Sequence, residues 1–218
     1  MKFANFQQEK TLWKKGYKFV IGLDEAGRGA LAGPVVGAAV MINKDQMKFE
    51  MQNLLKEIKD SKKLKPQKRE KLYKILINHP NIKWGIGKIN SRVIDKINIL
   101  EATKLAMERA LRKIFNFKIS IFRNDIFLIL DGNFKLNLNL PQKSIIRADE
   151  KILSCAMASI IAKVYRDHLM LGYHKKYPQY GFDKHKGYGT RLHFKRLYQY
   201  GPSKIHRRTF APVKNLQK

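Results

Sequence analysis

Three acidic positions in this chain sit directly after apolar runs: Asp24 with its neighbour Glu25, then Asp131, then Asp149. Strand ends are where α/β sheets gather ligands and reactive groups. The chain carries 45 Lys and Arg against 17 Asp and Glu, a formal net charge of +28. Such a surplus points to a polyanionic partner, yet an acid cluster beside a polyanion would repel it. The conflict disappears if divalent cations lie between carboxylates and phosphate, because Mg²⁺ and Mn²⁺ prefer hard oxygen ligands. Two ions about 3.5–4 Å apart can activate water and stabilise the leaving oxygen of a phosphodiester. The ordinary alternative is local: a strand-end Asp caps a helix or starts a turn, and Asp131-Gly132 is a good turn pair. Asp24-Glu25 is more specific. Neighbours on a strand point to opposite faces, so Glu25 joins the same site only where the strand ends and bends into Gly27.

The segment Gly27-Arg28-Gly29-Ala30-Leu31-Ala32-Gly33 follows that pair. It is not the dinucleotide fingerprint, because its third glycine falls one place too late, and the chain has no GxxxxGK[ST] loop. Glycine lets a sugar or phosphate approach the backbone, since no Cβ intervenes. Arg28 adds a charge-assisted contact to phosphate. A plain hairpin turn is the competing reading. Lys163 and Arg166 lie three apart on one helix face, suited either to tracking phosphates or to solvation. Asp167 reads as a helix acceptor before a remote ligand, Tyr165 as core before a nucleic-acid stacker, and Cys155 as a thiol packed against the sheet. The lone cysteine excludes an intramolecular disulfide, and with six scattered histidines it argues against a four-ligand zinc site.

These residues need a scaffold, and the pattern supplies one. Residues 1–16 read as a short helix or arm, 17–23 and 34–42 as strands, and 45–58 as a helix. Pro66 opens another helix, and 82–89 alternates as a strand. Ser91 caps a short helix, with a longer one over 98–115. Residues 126–130 form a buried strand and 144–146 a short one, and 151–176 is the longest helical pattern. From Tyr177 the chain is basic, aromatic and broken by glycine and proline. This order predicts an α/β domain with a mixed sheet flanked by helices. The C-terminal part, from about residue 172, is a small helical extension too short for a core of its own.

A length of 218 residues suits one compact domain, and 44% hydrophobic content supports a real core. Of the 45 basic residues 33 are Lys, so compositional bias accounts for some of the charge. No apolar run approaches the roughly 18–20 residues of a membrane span, and the first residues hold no signal-peptide core. The expectation is a cytoplasmic, membrane-free protein that binds nucleic acid.

Ile21-Gly22-Leu23-Asp24-Glu25-Ala26-Gly27-Arg28-Gly29, followed by Leu31-Ala32-Gly33-Pro34-Val35, closely resembles the amino-terminal signature of the ribonuclease HII family. The likeness continues in Asp60-Ser61-Lys62-Lys63-Leu64, in 94–107, and in Leu130-Asp131-Gly132. Asp149 with 158–167, then Lys186-Gly187-Tyr188-Gly189-Thr190, and Gly201-Pro202 with His206-Arg207-Arg208 and Phe210 complete it. One departure is that the fourth acid follows Arg147-Ala148, which keeps a basic and a small residue.

The resemblance implies a ribonuclease H-like catalytic domain over 18–211 behind an N-terminal arm, 1–17. It implies hydrolysis of the RNA strand of RNA–DNA hybrids and nicking on the 5′ side of ribonucleotides embedded in duplex DNA, as in ribonucleotide excision repair. The products would carry 3′-hydroxyl and 5′-phosphate ends. Asp24, Glu25, Asp131 and Asp149 become ligands for two Mg²⁺ or Mn²⁺ ions, and the expected state is a monomer. Backbone groups of Gly27, Arg28 and Gly29 would read the 2′-hydroxyl that distinguishes RNA. Tyr188 would stack on the following deoxyribose, and Ser61 and Lys62 would hold a phosphate. Ribonuclease HIII is the near rival, but it normally carries a further amino-terminal platform domain. A catalytically silent hybrid-binding module or a ribosome-associated basic protein would explain the charge without using the acids.

Overall fold

The computed structural model describes residues 4–42, 58, 64–116 and 124–216. All but the last residue of the helix expected over 45–58, the Ser61 and Lys62 positions and most of the loop 116–125 lie outside them. Five strands form one mixed sheet in the order β3-β2-β1-β4-β5. They are β1 (Phe19–Ala26), β2 (Val35–Ile42), β3 (Ile82–Ile89), β4 (Ile126–Asp131) and β5 (Gln142–Ile145). The first three pair antiparallel, and β1–β4 and β4–β5 pair parallel. β1 and β2 read as near-continuous apolar runs because helices cover both faces of the sheet centre.

Among the described residues the longer helices are α1 (Gln7–Lys14), α2 (Pro66–Asn78), α3 (Ser91–Ile114), α4 (Leu153–Lys176) and, in the C-terminal extension, α5 (Arg191–Tyr200). α3 covers one face, where Met107, Ala110 and Leu111 pack with Ile21, Leu23 and Leu128. α4 covers the other, and its first turns are buried on every side. Gly22 explains how close α4 comes: a Cβ there would lie 2.4 Å from the backbone nitrogen of Cys155. Small side chains at Ser154, Cys155, Ala156 and Ala158 suit the same close approach. Cys155 is fully buried, with Sγ 3.5 Å from the Ile129 carbonyl.

Two expectations change in detail. The cap of α3 is Asn90, not Ser91, because the Asn90 side chain accepts from the Val93 N–H. The break before the longer helix is real: Asn98 adopts φ 63° and ψ 170°. Its Oδ1 accepts from the Leu100 and Glu101 amides, which starts the second segment. From residue 4 on, the N-terminal segment packs against the domain. Phe6, Leu12 and Trp13 are buried, and Asn5 bridges to Ile152. Glu9 is 1% exposed and accepts from both the N–H and the hydroxyl of Ser154. α1 thus satisfies an orphan amide at the start of α4.

The C-terminal extension folds back onto the glycine segment. Ala32 pairs with His206, Gly33 N–H donates to the Ile205 carbonyl, and Arg207 N–H donates to the Leu31 carbonyl.

Candidate active site

β1 and β4 are parallel neighbours, so their C-terminal ends deliver Asp24 and Asp131 side by side. Asp149 arrives differently. β5 stops at Ile145, Arg147 takes the left-handed conformation, and a 3₁₀ turn, Ala148–Glu150, carries the acid back. Asp131 fixes that return, because its Oδ1 accepts from the Ala148 N–H at 2.9 Å. Carboxylate oxygens of Asp24, Asp131 and Asp149 all lie within 4.8 Å of one another. Asp24 and Asp149 are 6% and 1% exposed, so the charges concentrate in a desolvated spot.

Glu25 stands beside this triad and is not part of it. β1 continues through Asp24 to Ala26, so the pleat parts the two side chains. Asp24 is hydrogen-bonded to Ser159 of α4, and its Oδ1 accepts from the Glu25 N–H. The Glu25 carboxylate lies 3.5 Å from the Arg28 guanidinium.

Burial, then the nearby Glu25 and Asp131 charges, push the Asp24 carboxyl well above its usual range. Burial pushes Glu25 up to about 7, although Arg28 opposes it. Buried like charges cannot all ionise cheaply without a counter-charge. Glu25 Oε2 is also buried without a hydrogen-bond partner among the described residues. An all-oxygen donor set with a surplus of negative charge fits a hard divalent cation.

A cavity of about 330 Å³ opens beside the acids. It is lined by Glu25, residues 26–29, Ser159, Lys163 and Tyr188, with Arg69 from α2. Gly27 has φ +93°, and a Cβ there would fall 1.9 Å from Arg166 Nε. Gly29 is the opposite case, where a Cβ would meet nothing within 4 Å among the described residues. Tyr188 is half-buried, with the Lys163 ammonium 5.8 Å and the Arg166 guanidinium 5.2 Å from its ring centre. Lys163 is also paired with Asp167 at 2.6 Å, the helix acceptor the sequence suggested.

The expected set therefore divides. Asp24, Asp131 and Asp149 converge; Glu25, Gly27, Arg28, Gly29, Lys163 and Tyr188 line the adjoining cavity or its rim. Arg166 requires a correction. It is fully buried and donates to the carbonyls of Pro34, Lys186 and Ala32, so it faces the protein and not a phosphate. Ser159 and Arg69 escaped the sequence reading. Ser159 lies within the 158–167 stretch, but only the packing of α4 on β1 shows it reaching Asp24. Arg69 is one cation among many and is recognisable only from its place at the cavity.

Residues 21–213 match the family profile described as ribonuclease HII. The chain is 47% identical over 218 residues to the ribonuclease HII of Acholeplasma laidlawii, covering all of both chains. It is 44% identical over 208 residues to that of Chlamydia caviae, covering 95% of this chain and 91% of the relative. The crystal structure of ribonuclease H2 from Pyrococcus horikoshii OT3 superposes with a TM-score of 0.65 at 25% identity, covering 91% of this chain and 96% of that one.

Proposed function

Because the chain belongs to the ribonuclease HII family, and is thereby an endoribonuclease acting on RNA–DNA hybrids, we propose that it also nicks duplex DNA on the 5′ side of single embedded ribonucleotides. The observation that carries this reading is the aspartate triad, with oxygens within 4.8 Å, beside a cavity walled by glycine backbone and Tyr188.

Asp24, Asp131 and Asp149, with Glu25 adjacent, are the residues that would hold two Mg²⁺ or Mn²⁺ ions. Ions bound there supply an activated water and charge stabilisation at the departing 3′ oxygen. The chain's own part is positional. Ser159 and the Glu25 amide orient Asp24, and Asp131 holds the turn that presents Asp149. The acids are assigned as metal ligands. The amides of residues 27–29 take the 2′-hydroxyl, an oxygen that DNA lacks. Tyr188 packs on the next deoxyribose and registers the RNA–DNA junction. Arg28 and Lys163 contact phosphate, and Ser61 and Lys62 hold a further phosphate. The products are 3′-hydroxyl and 5′-phosphate ends, and the place of action is ribonucleotide excision repair by a cytoplasmic monomer. Among the described residues, no helix is long and apolar enough to cross a membrane.

The test is a duplex with one ribonucleotide, incubated with Mg²⁺ or Mn²⁺. A nick directly 5′ of that ribonucleotide is expected, and Asp131→Asn should abolish it while hybrid binding persists. Cleavage confined to long hybrids would refute the nicking activity, and unchanged cleavage by Asp131→Asn would refute the assigned site.

A further inference from the structure

Two arginines lie fully buried behind the glycine segment, and neither forms an ion pair with a carboxylate among the described residues. Burying an unpaired cation costs several kcal/mol in typical proteins, so volume alone does not account for them. What they bind is main-chain oxygen. Arg166 donates from Nε to the Pro34 carbonyl (2.9 Å), from Nη1 to Lys186 (3.0 Å) and from Nη2 to Ala32 (3.1 Å). Arg207 donates from Nε to Gly33 (3.2 Å), from Nη1 to Arg28 (2.8 Å) and from Nη2 to Gly27 (2.6 Å). The two planar forks thus gather five carbonyls of residues 27–34 on one side of the chain.

The consequence follows from peptide geometry. In a trans peptide the C=O of one residue and the N–H of the next point in opposite directions. Holding the Gly27 and Arg28 carbonyls toward Arg207 turns the Arg28 and Gly29 amides away from it. Neither amide takes part in a hydrogen bond among the described residues, and both residues line the cavity beside the acids. The Arg166 guanidinium also lies 5.2 Å from the centre of the Tyr188 ring. Its bond to the Lys186 carbonyl anchors the strip of chain that carries Tyr188.

We propose that Arg166 and Arg207 are a positioning pair that presets the Arg28 and Gly29 amides and Tyr188, so that the C-terminal extension determines how strictly the site demands a 2′-hydroxyl. The inference rests on the reading of this loop as the ribose sensor. The pair touches no substrate. It keeps two amide donors aimed and adds buried positive charge behind them, which favours an oxygen in front of them.

The experiment measures binding in an Asp131→Asn background, without turnover, to two duplexes that differ only in one ribonucleotide or its deoxy counterpart. The unmutated pair should favour the ribonucleotide duplex. Arg207→Met, which keeps volume and removes the fork, should lower that preference by about tenfold, the equivalent of about 1.4 kcal/mol. In the cleavage-competent protein the same change should raise KM for the single-ribonucleotide duplex more than it lowers kcat. Arg207→Lys keeps the cation but cannot bridge three carbonyls, and it should also lose discrimination; it carries the test if Arg207→Met unfolds. A purely structural role would lower Tm and leave the binding ratio untouched. Folded variants with an undiminished ratio would overturn the pair's role alone. Equal binding of both duplexes by the unmutated pair would overturn the reading of the loop and this inference with it.

Discussion

Gly27 and Gly29 look alike in sequence and answer to different constraints. Gly27 needs its positive φ and the space taken by Arg166, so an alanine there disrupts the loop itself. At Gly29 a methyl group meets no atom of the described residues within 4 Å, and the residue lines the cavity where the proposed function puts the sugar. Gly29→Ala should therefore keep its unfolding free energy within about 1 kcal/mol of wild type, as substitutions in open space usually do. It should reduce kcat/KM on a ribonucleotide-containing duplex by tenfold or more. Urea unfolding and steady-state kinetics check the two halves; unimpaired kinetics would mean that no substrate packs on Gly29. The spacing of the glycines was legible in the sequence, but which one faces the cavity was not. The same holds for the acids. Asp24 and Asp131 stood out because a carboxylate terminates an apolar run. Arg166 was misread because helical spacing groups it with Lys163 and cannot say that the extension will cover it. Arg207 stayed hidden because its partners Gly27 and Arg28 lie 180 and 179 residues away.

Elements at the two ends of the chain prove to be structural partners of the site, not appendages. α1 inserts Glu9 under the start of α4, where burial pushes its carboxyl above the usual range. Glu9→Ala would strand the buried Ser154 amide and cost about 1–3 kcal/mol. Glu9→Gln keeps an acceptor without the buried charge and should be close to neutral at pH 7. Comparing the urea midpoints of the two variants separates acceptor from charge. The α1 pattern was visible in the sequence, but its docking was not, since a lone Glu in a basic segment reads as solvated. The C-terminal extension holds His185, His193 and His206 in a buried group with Phe182. Ser203 N–H donates to His206 Nδ1, His206 and His193 share a bond between their Nε2 atoms at 3.0 Å, and His193 Nδ1 meets the Tyr188 carbonyl. Burial, then a neighbouring histidine, lowers His193 to about 4 and His206 to about 3. A base whose folded pKa is depressed binds more protons when unfolded, so its stability is intact above about 6.5 and is lost as pH falls toward 4 and 3. The unfolding free energy should thus drop between pH 7.5 and 5 by more in wild type than in His206→Gln. Equal drops would show that His206 is not held neutral.

Across the whole molecule, a net charge of +28 says little about where nucleic acid lies, because 33 of the 45 basic residues are lysines that also suit a solvated coat. Salt dependence separates the two contributions. Each phosphate contact releases counterions and adds roughly 0.9 to the magnitude of the slope of log K against log salt for duplex DNA. Lys163 stands at the cavity, about one-third exposed, and must leave Asp167 to reach a phosphate. Lys83 lies on the edge strand β3, in register with Met41 and through it with Ile21, three residues below Asp24 and two strands away. Removing a cation that neutralises a phosphate should flatten the slope by about 1, so Lys163→Ala should do so and Lys83→Ala should leave it unchanged. Gly29→Ala should weaken ribonucleotide binding with the slope intact, since it alters the fit to a sugar and no charge. Binding titrations over a range of salt concentrations give all three slopes. If Lys83→Ala flattened the curve as much as Lys163→Ala, the duplex would be held by the diffuse coat instead of a defined track. The carboxylate triad would then stand alone in setting the position of the scissile phosphate.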